Sequence, residues 1–143
     1  MAAQDQNTLR LEVATPEGLK LEADAESVQA PSVHGEFGVL PGHLPLLAAL
    51  QCGLLKYRAG GKDQVAAIGP GFVQAEPGRV LLLTDLFALP DGVDTDAVRK
   101  ELAEAEKKLA EYPERHEGPD YRELQRDIDW ALARIEARQE ADK

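Results

Sequence analysis

The segment ALPDGVD at residues 88–94 divides the chain into two parts with different sequence patterns. Its central proline, aspartate and glycine are residue types that interrupt regular secondary structure. Residues 1–88 carry 16 charged side chains, whereas the shorter part at residues 89–143 carries 26. The segment therefore predicts a first domain at residues 1–88, a linker at residues 89–94 and a second domain at residues 95–143.

On the N-terminal side of this segment, apolar residues alternate with polar ones, as in a strand with one buried face. Leu9, Leu11 and Val13 alternate with polar or charged neighbours, and a Pro-Glu-Gly turn leads to Leu19 and Leu21. Further short apolar runs follow at strand spacing, separated by turns rich in glycine and proline. Many short strands with such turns indicate an antiparallel β-sandwich or barrel.

On the C-terminal side, the apolar period changes to that of an α-helix. Two amphipathic helices are predicted, separated by the segment PERHEG at residues 113–118, whose proline ends the first helix. The apolar stripes are Val98, Leu102, Ala105 and Leu109 in the first helix, and Tyr121, Leu124, Ile128, Ala131, Leu132 and Ile135 in the second. The short connection predicts an antiparallel hairpin. The expected fold class is α+β, with an N-terminal antiparallel β-sandwich followed by a C-terminal antiparallel α-helical hairpin.

The composition argues against several classes of protein. A formal net charge of -10 and a pI near 4.7 disfavour a nucleic-acid or anionic-membrane partner, because like charges would repel. Cys52 is the only cysteine, which excludes an internal disulfide and a cysteine-based zinc site. No apolar run approaches the roughly 20 residues of a membrane span, and residues 1–10 lack a signal-peptide pattern. We therefore expect a soluble, intracellular protein.

No enzyme signature stands out. The segment GPG at residues 69–71 begins like a dinucleotide-binding motif, but Gln74 replaces the third glycine. The segment HGE at residues 34–36 matches the His-x-Glu of zinc deaminases, which need two further cysteines. Ser32 lacks the Gly-x-Ser-x-Gly elbow typical of a serine nucleophile. We expect no catalytic residue, no metal site and no cofactor.

The segment GEFGVLPGHLPLL at residues 35–47 resembles the epsilon subunit of F-type ATP synthase. The β domain of that family carries a Gly-Glu-x-Gly-aliphatic-x-Pro-Gly-His-x-Pro-Leu segment. The matching residues here are Gly35, Glu36, Gly38, Val39, Pro41, Gly42, His43, Pro45 and Leu46. Leu44 stands where a small residue is common. Residues 13–18 and 69–85 are also similar to family segments, and His116 with Asp120 and Tyr121 is similar to the start of the family's second helix. The resemblance therefore covers essentially the whole chain.

The resemblance implies a non-catalytic central-stalk subunit that couples rotation of an ion-driven membrane ring to ATP synthesis. The implied partners are the gamma subunit, the membrane rotor c-ring and the catalytic alpha/beta head. The protein would then be peripheral to an energy-coupling membrane, on the cytoplasmic face of a bacterial inner membrane. Glu36 and His43 match polar residues at the ring contact in the family. Residue chemistry alone also allows Glu36 to be a solvated turn residue and His43 to bond local backbone.

The resemblance also implies a hairpin that alternates between a compact state on the sandwich and an extended state that restrains ATP hydrolysis at the head. Arg122, Arg126, Trp130, Arg134 and Arg138 repeat every four residues and predict a ridge opposite the apolar stripe. A tryptophan between arginines is typical of an interface anchor. No acid flanks Arg134 or Arg138 on the ridge, and these two arginines with Trp130 are the candidate contacts with the head. A solvated face is the alternative interpretation.

An ATP-sensing hairpin is the alternative function, because some relatives bind ATP through an aliphatic-Asp-x-x-Arg-Ala segment and further arginines. The corresponding residues 95–100 keep Asp96 and Arg99 but lose the aliphatic and alanine positions. Arg134 is kept on the second helix, whereas Trp130 stands where its partner arginine would lie. Asp96 also suits the N-terminus of a helix. A free-standing β-sandwich binding module with a helical tail is a third interpretation.

Overall fold

The computed structural model of the protein describes residues 7–43, 45–112 and 118–143. Within these ranges the strands, in chain order, are β1 Leu9–Thr15, β2 Gly18–Ala25, β3 Ser27–Ser32, β4 Gly35–Val39, β5 Leu46–Leu50, β6 Gly53–Ala59, β7 Lys62–Ile68, β8 Gly71–Glu76, β9 Arg79–Thr84 and β10 Phe87–Ala88. A 3-10 turn at Pro90–Gly92 leads to helices α1 Thr95–Ala110 and α2 Pro119–Ala141. Leu44 and Pro113, the residue expected to end the first helix, lie outside the described residues.

The strands form a sheet in the order β10-β7-β6-β3-β5-β8-β9-β1-β2, with β4 paired to β3. This arrangement followed by two helices confirms the predicted fold class. One pair differs from the expected antiparallel pattern, because β1 and β9 run parallel. These strands come from opposite ends of the sandwich sequence, so no tight turn between them imposes an antiparallel pairing.

The main core lies inside the sandwich, where the alternation in β1 places Leu9, Leu11 and Val13 fully inside. Leu11 pairs with Val80 of β9 and Val13 pairs with Leu82, so buried residues of adjacent strands point to the same face. The other buried members of this core are Ala25, Val28, Ala30, Val39, Leu50, Leu55, Ile68, Val73 and Ala75. Every one of these residues precedes the helices.

The β1–β2 hairpin departs from the predicted alternation at Leu19. The register shifts between Val13, which pairs with Leu21, and Ala14, which pairs with Leu19. Leu21 packs against the main core, but Leu19 is 48% exposed. A bulge of this kind inserts one residue and so moves the next side chain to the opposite face.

The first part of the family-like segment is a strand. Residues 35–39 form β4, which pairs antiparallel with β3. Val39 is buried and Phe37 packs partly buried against the main core, so alternation again places apolar side chains inward. Leu40 lies just beyond the strand and is 63% exposed.

Helix α2 lies between the sheet and α1. Ala131 and Ile135 pack with Val98 of α1, whereas Ala133 and Ala137 pack against Leu54 and Ala67 of the sheet. Two faces of α2 are therefore buried, and the predicted stripe accounts for only one of them.

One member of the predicted stripe lies outside both contacts, since Leu132 is 47% exposed. Its position falls between the two buried faces of α2, because successive residues of a helix are about 100° apart.

At the ends of the hairpin, Asp94 caps α1 by accepting the Ala97 N–H at 3.2 Å. The rings of Tyr112 and Tyr121 meet with centroids 5.6 Å apart.

We predict that residues 1–88 fold without the helices, because every residue of the main core lies within them. Removal of α2 uncovers Leu54, whose exposure costs about 1.5–3 kcal/mol. The truncated chain is expected to unfold cooperatively, at a lower temperature than the full chain, in a thermal melt followed by circular dichroism. Leu82→Ala in the truncated chain is the control and is expected to cost a further 2–5 kcal/mol or so. A melt without a cooperative transition would contradict the prediction.

Candidate functional site

Trp130 lies in the contact between α2 and the sheet. It packs partly buried against the cluster of Leu54, Ala67, Ala133 and Ala137. Trp130 lies opposite the apolar stripe, as its four-residue spacing predicts, but in the docked hairpin this face of α2 packs on the sheet. The alternative of a solvated face is therefore wrong for Trp130, because the apolar stripe alone does not reveal the second buried face of α2.

Arg134 points from α2 toward α1. Its Nη2 donates to the Glu101 carboxylate of α1 at 2.6 Å, and its Nε donates to the Trp130 carbonyl at 3.4 Å. The guanidinium carbon lies 5.2 Å from the centre of the Trp130 ring, within the range of a cation-π interaction. The Arg134 side chain is only 17% exposed. The prediction that no acid flanks Arg134 was based on the spacing within α2 alone. In the structure the acid that pairs with Arg134 is Glu101, which belongs to α1.

Arg138 connects the end of α2 to its surroundings. Its Nε pairs with the Asp142 carboxylate at 3.3 Å, and its Nη1 donates to the Pro90 carbonyl at 3.3 Å. Asp142 is the C-cap residue of α2, four residues after Arg138, so the expectation of no flanking acid is wrong here too. The bond to Pro90 joins α2 to the 3-10 turn that precedes α1.

A cavity of about 320 Å³ lies between the two helices. Its charged lining residues are Glu101, Glu104, Lys108, Asp127 and Arg134. Of the three residues predicted to contact ATP, only Arg134 lines this cavity, whereas Asp96 and Arg99 are exposed elsewhere on α1. Three carboxylates facing two cations would repel a triphosphate, so the geometry does not favour ATP binding.

The β3–β4 hairpin and the turn after it carry the two residues predicted to meet the ring. Glu36 is exposed on β4, and its carboxylate has no ion pair among the described residues. The His43 Nδ1 lies 3.0 Å from the Leu40 carbonyl, and the His43 N–H donates to the same oxygen at 3.1 Å. His43 therefore satisfies local backbone in this structure, which was the alternative interpretation. At the tip, the Ser32 hydroxyl donates to the Gly35 carbonyl at 2.6 Å.

A row of apolar side chains crosses the outer face of the sheet, which the sequence analysis did not identify. Ala49, Phe72, Leu83, Ala14 and Leu19 are successive partners across β5, β8, β9, β1 and β2. Phe72 is 59% exposed and Leu83 is 47% exposed. A groove of about 410 Å³ lies beside these two side chains. The signal in the sequence is the run of leucines at residues 81–83, because consecutive apolar residues in a strand occupy both faces.

Cys52 lies between β5 and β6 and is partly buried. Burial raises the pKa of its thiol to about 11, and the Asp129 charge adds to this rise while the Arg126 charge opposes it. Both charged residues belong to α2. The thiol is therefore less reactive than a free cysteine, since the thiolate is the nucleophile.

Among the described residues, no helix is both long enough and apolar enough to cross a membrane. The same ranges contain no group of three or more His, Cys, Asp or Glu side chains arranged to hold a metal ion.

Residues 8–89 match the family model of the β-sandwich domain of the ATP synthase delta/epsilon chain. The ATP synthase epsilon chain of Nitratidesulfovibrio vulgaris (strain DP4) is 36% identical over 133 residues, which cover 93% of this chain and 97% of that protein. The ATP synthase epsilon chain of Desulfitobacterium hafniense (strain DSM 10664 / DCB-2) is 35% identical over 130 residues, which cover 91% of this chain and 96% of that protein.

Two solved structures contain chains with a similar fold. One is the cryo-EM structure of the Euglena gracilis mitochondrial ATP synthase, OSCP/F1/c-ring in rotational state 1. A chain in it superposes with a TM-score of 0.73 at 22% identity, over 96% of this chain and 82% of that chain. The other is the central stalk/c-ring of the Tetrahymena thermophila mitochondrial ATP synthase, with a TM-score of 0.53 at 13% identity over 99% of this chain.

Proposed function

Since this chain belongs to the family of ATP synthase epsilon chains, we propose that it is a non-catalytic rotor subunit in the central stalk of an F-type ATP synthase. In this role it couples rotation of the ion-driven c-ring to ATP synthesis in the alpha/beta head. The family model covers the sandwich, and the bacterial relatives match along nearly their whole length. The protein is then peripheral to the membrane through the complex, on the cytoplasmic face of a bacterial inner membrane.

The exposed apolar row on the sheet is the observation that carries this proposal. Monomeric proteins rarely leave a contiguous apolar surface open to water, and large exposed patches mark interaction sites. Leu47 adds to the patch on β5 and is 73% exposed. The helices do not cover this side, because α2 packs on β6 and β7. We assign the row around Phe72 and Leu83 to the gamma subunit.

We predict that Phe72→Lys weakens association with gamma without unfolding the sandwich. A charge in a desolvated contact costs about 2 kcal/mol or more, or roughly 30-fold in affinity. The measurement is the dissociation constant for purified gamma, together with a thermal melt of the variant. Leu132→Lys is the matched control, because Leu132 is exposed to a similar degree but lies on α2. The assignment fails if both variants bind gamma equally well.

Glu36 and His43 are proposed to face the c-ring. Val33 and Leu40, which are 54% and 63% exposed, lie in the turns before and after β4 and extend the surface with apolar side chains. The carboxylate of Glu36 is free to meet a polar partner, whereas His43 holds the turn through the Leu40 carbonyl. In this assignment Glu36 contacts the ring directly and His43 positions the loop.

We predict that Glu36→Ala changes coupling and leaves folding unchanged. Because the side chain is exposed, its loss should alter stability by no more than about 0.5 kcal/mol. The ratio of ion pumping to ATP hydrolysis in membranes carrying the assembled enzyme is expected to fall, while the melting temperature of the isolated chain stays the same. A lower melting temperature with normal coupling would show that Glu36 is a structural residue.

The hairpin is proposed to act as a brake on ATP hydrolysis when it leaves the sandwich and reaches the head. The structure describes the compact arrangement, with α2 against the sheet. Trp130, Arg134 and Arg138 remain our candidates for contact with acidic groups of the head. In the compact state all three side chains make contacts within the chain. These contacts must break before the side chains can reach the head.

We predict that deletion of residues 90–143 increases ATP hydrolysis by the reconstituted complex. Arg134→Glu combined with Arg138→Glu is expected to reproduce most of the increase, because reversed charges repel the acidic target. Added salt should reduce the difference from wild type by screening the exposed pairs. Arg122→Glu with Arg126→Glu is the control on the same helix. An unchanged rate after deletion would show that the hairpin is not a brake.

A further inference from the structure

The contact between α1 and α2 depends on few apolar side chains. The buried residues that α1 contributes are Val98 and Ala105, and Leu102 adds partial burial. Helix α2 contacts β6 and β7 directly, whereas α1 reaches the sandwich mainly through α2. Detachment of α1 from α2 therefore removes one of the two layers that hold α2 in place.

The ion pair between Glu101 and Arg134 lies across this contact. Arg134 is 17% exposed, the lowest exposure of any basic side chain in the ion pairs of residues 7–43, 45–112 and 118–143. Its guanidinium also lies over Trp130. If Glu101 is absent, the enclosed cation loses its counter-charge and gains by moving into water. The pair thus favours the closed hairpin.

We propose that Glu101 is a regulatory residue that holds the hairpin closed by occupying Arg134, so that Arg134 becomes available to the head only when this ion pair opens. The inference rests on the proposed brake, and it adds that Glu101 and the head compete for Arg134. Arg134 binds either Glu101 within the chain or an acidic group of the head. Glu101 therefore opposes inhibition, although it makes no contact with the head itself.

The neighbouring residue Glu104 provides a matched control. Glu104 lines the same cavity and lies on the same helix, but no ion pair of its carboxylate is found among the described residues. Glu101→Gln and Glu104→Gln remove the same charge from the same helix. A difference between them therefore reports the ion pair rather than the net charge of α1.

The chain carries two natural probes of hairpin opening. Trp130 is the only tryptophan, and it lies beside Arg134 in the contact with the sheet. Cys52 is the only cysteine, and it is partly buried and near enough to α2 for the charges of Asp129 and Arg126 to act on its thiol. In the isolated full-length chain, Glu101→Gln is expected to shift the Trp130 emission to longer wavelength and to accelerate alkylation of Cys52 by iodoacetamide about two- to five-fold. Glu104→Gln should leave both signals at wild-type values.

A charge swap tests whether the changes in Trp130 emission and Cys52 alkylation come from the ion pair between Glu101 and Arg134. Glu101→Arg combined with Arg134→Glu should restore the emission and the alkylation rate toward wild type, which a general destabilisation would not do. Circular dichroism melts establish that each variant is folded. If Glu101→Gln leaves both probes at wild-type values in a folded chain, the proposal is overturned.

ATP hydrolysis by the reconstituted complex tests the link to the brake. Glu101→Gln is expected to lower the rate by up to about five-fold, because Arg134 is released for the head. If deletion of residues 90–143 accelerates hydrolysis but Glu101→Gln does not slow it, the brake stands and the competition for Arg134 is refuted. If the deletion has no effect, the proposed brake fails together with its link to Glu101. The Trp130 emission and the rate of Cys52 alkylation then test separately whether the ion pair holds the hairpin closed.

Discussion

The position of α2 between the sheet and α1 is the constraint on which the C-terminal part of the structure depends. A helix with two buried faces needs small side chains, because the distance between packed elements follows the size of the residues at the contact. Ala133 and Ala137 meet the sheet, while Ala131 and Ile135 meet α1. Small side chains bury little apolar area each. Polar contacts at the edges of the helix therefore contribute a larger share of the stability of the docked state.

The same packing explains the arrangement of the arginines on α2. A long side chain beside a buried face lies along the apolar surface and carries its charge to the nearest acceptor. For Arg134 that acceptor is Glu101, and for Arg138 it includes the Pro90 carbonyl. These bonds are few and partly exposed, so they favour the docked hairpin by a modest free energy. Because the free-energy difference between the docked and the detached hairpin is modest, the binding of a partner can change the populations of these two states.

Local patterns predicted the elements of the fold but not all of their neighbours. The alternation of Leu9, Leu11 and Val13 indicated the buried face of β1 correctly, because side-chain direction in a strand has a period of two. The parallel pairing of β1 with β9 was missed, since it joins segments that are distant in the chain. The exposure of Leu19 depends on a bulge, which sequence alternation does not show. At the candidate ring contact, Glu36 is exposed, which both interpretations of this residue require.

The amino-acid sequence by itself determined the two-part architecture, the break near residue 90 and the family, because these depend on local periodicity and on the motif at residues 35–47. Only the tertiary structure decided which side chains are free to meet a partner. Trp130 and Arg134 look like an open ridge along α2, yet the sheet and α1 enclose them. Phe72 has the pattern of an ordinary strand residue, yet it faces water. The reason is physical: burial and charge pairing depend on the neighbouring elements, whose positions one segment of sequence does not specify.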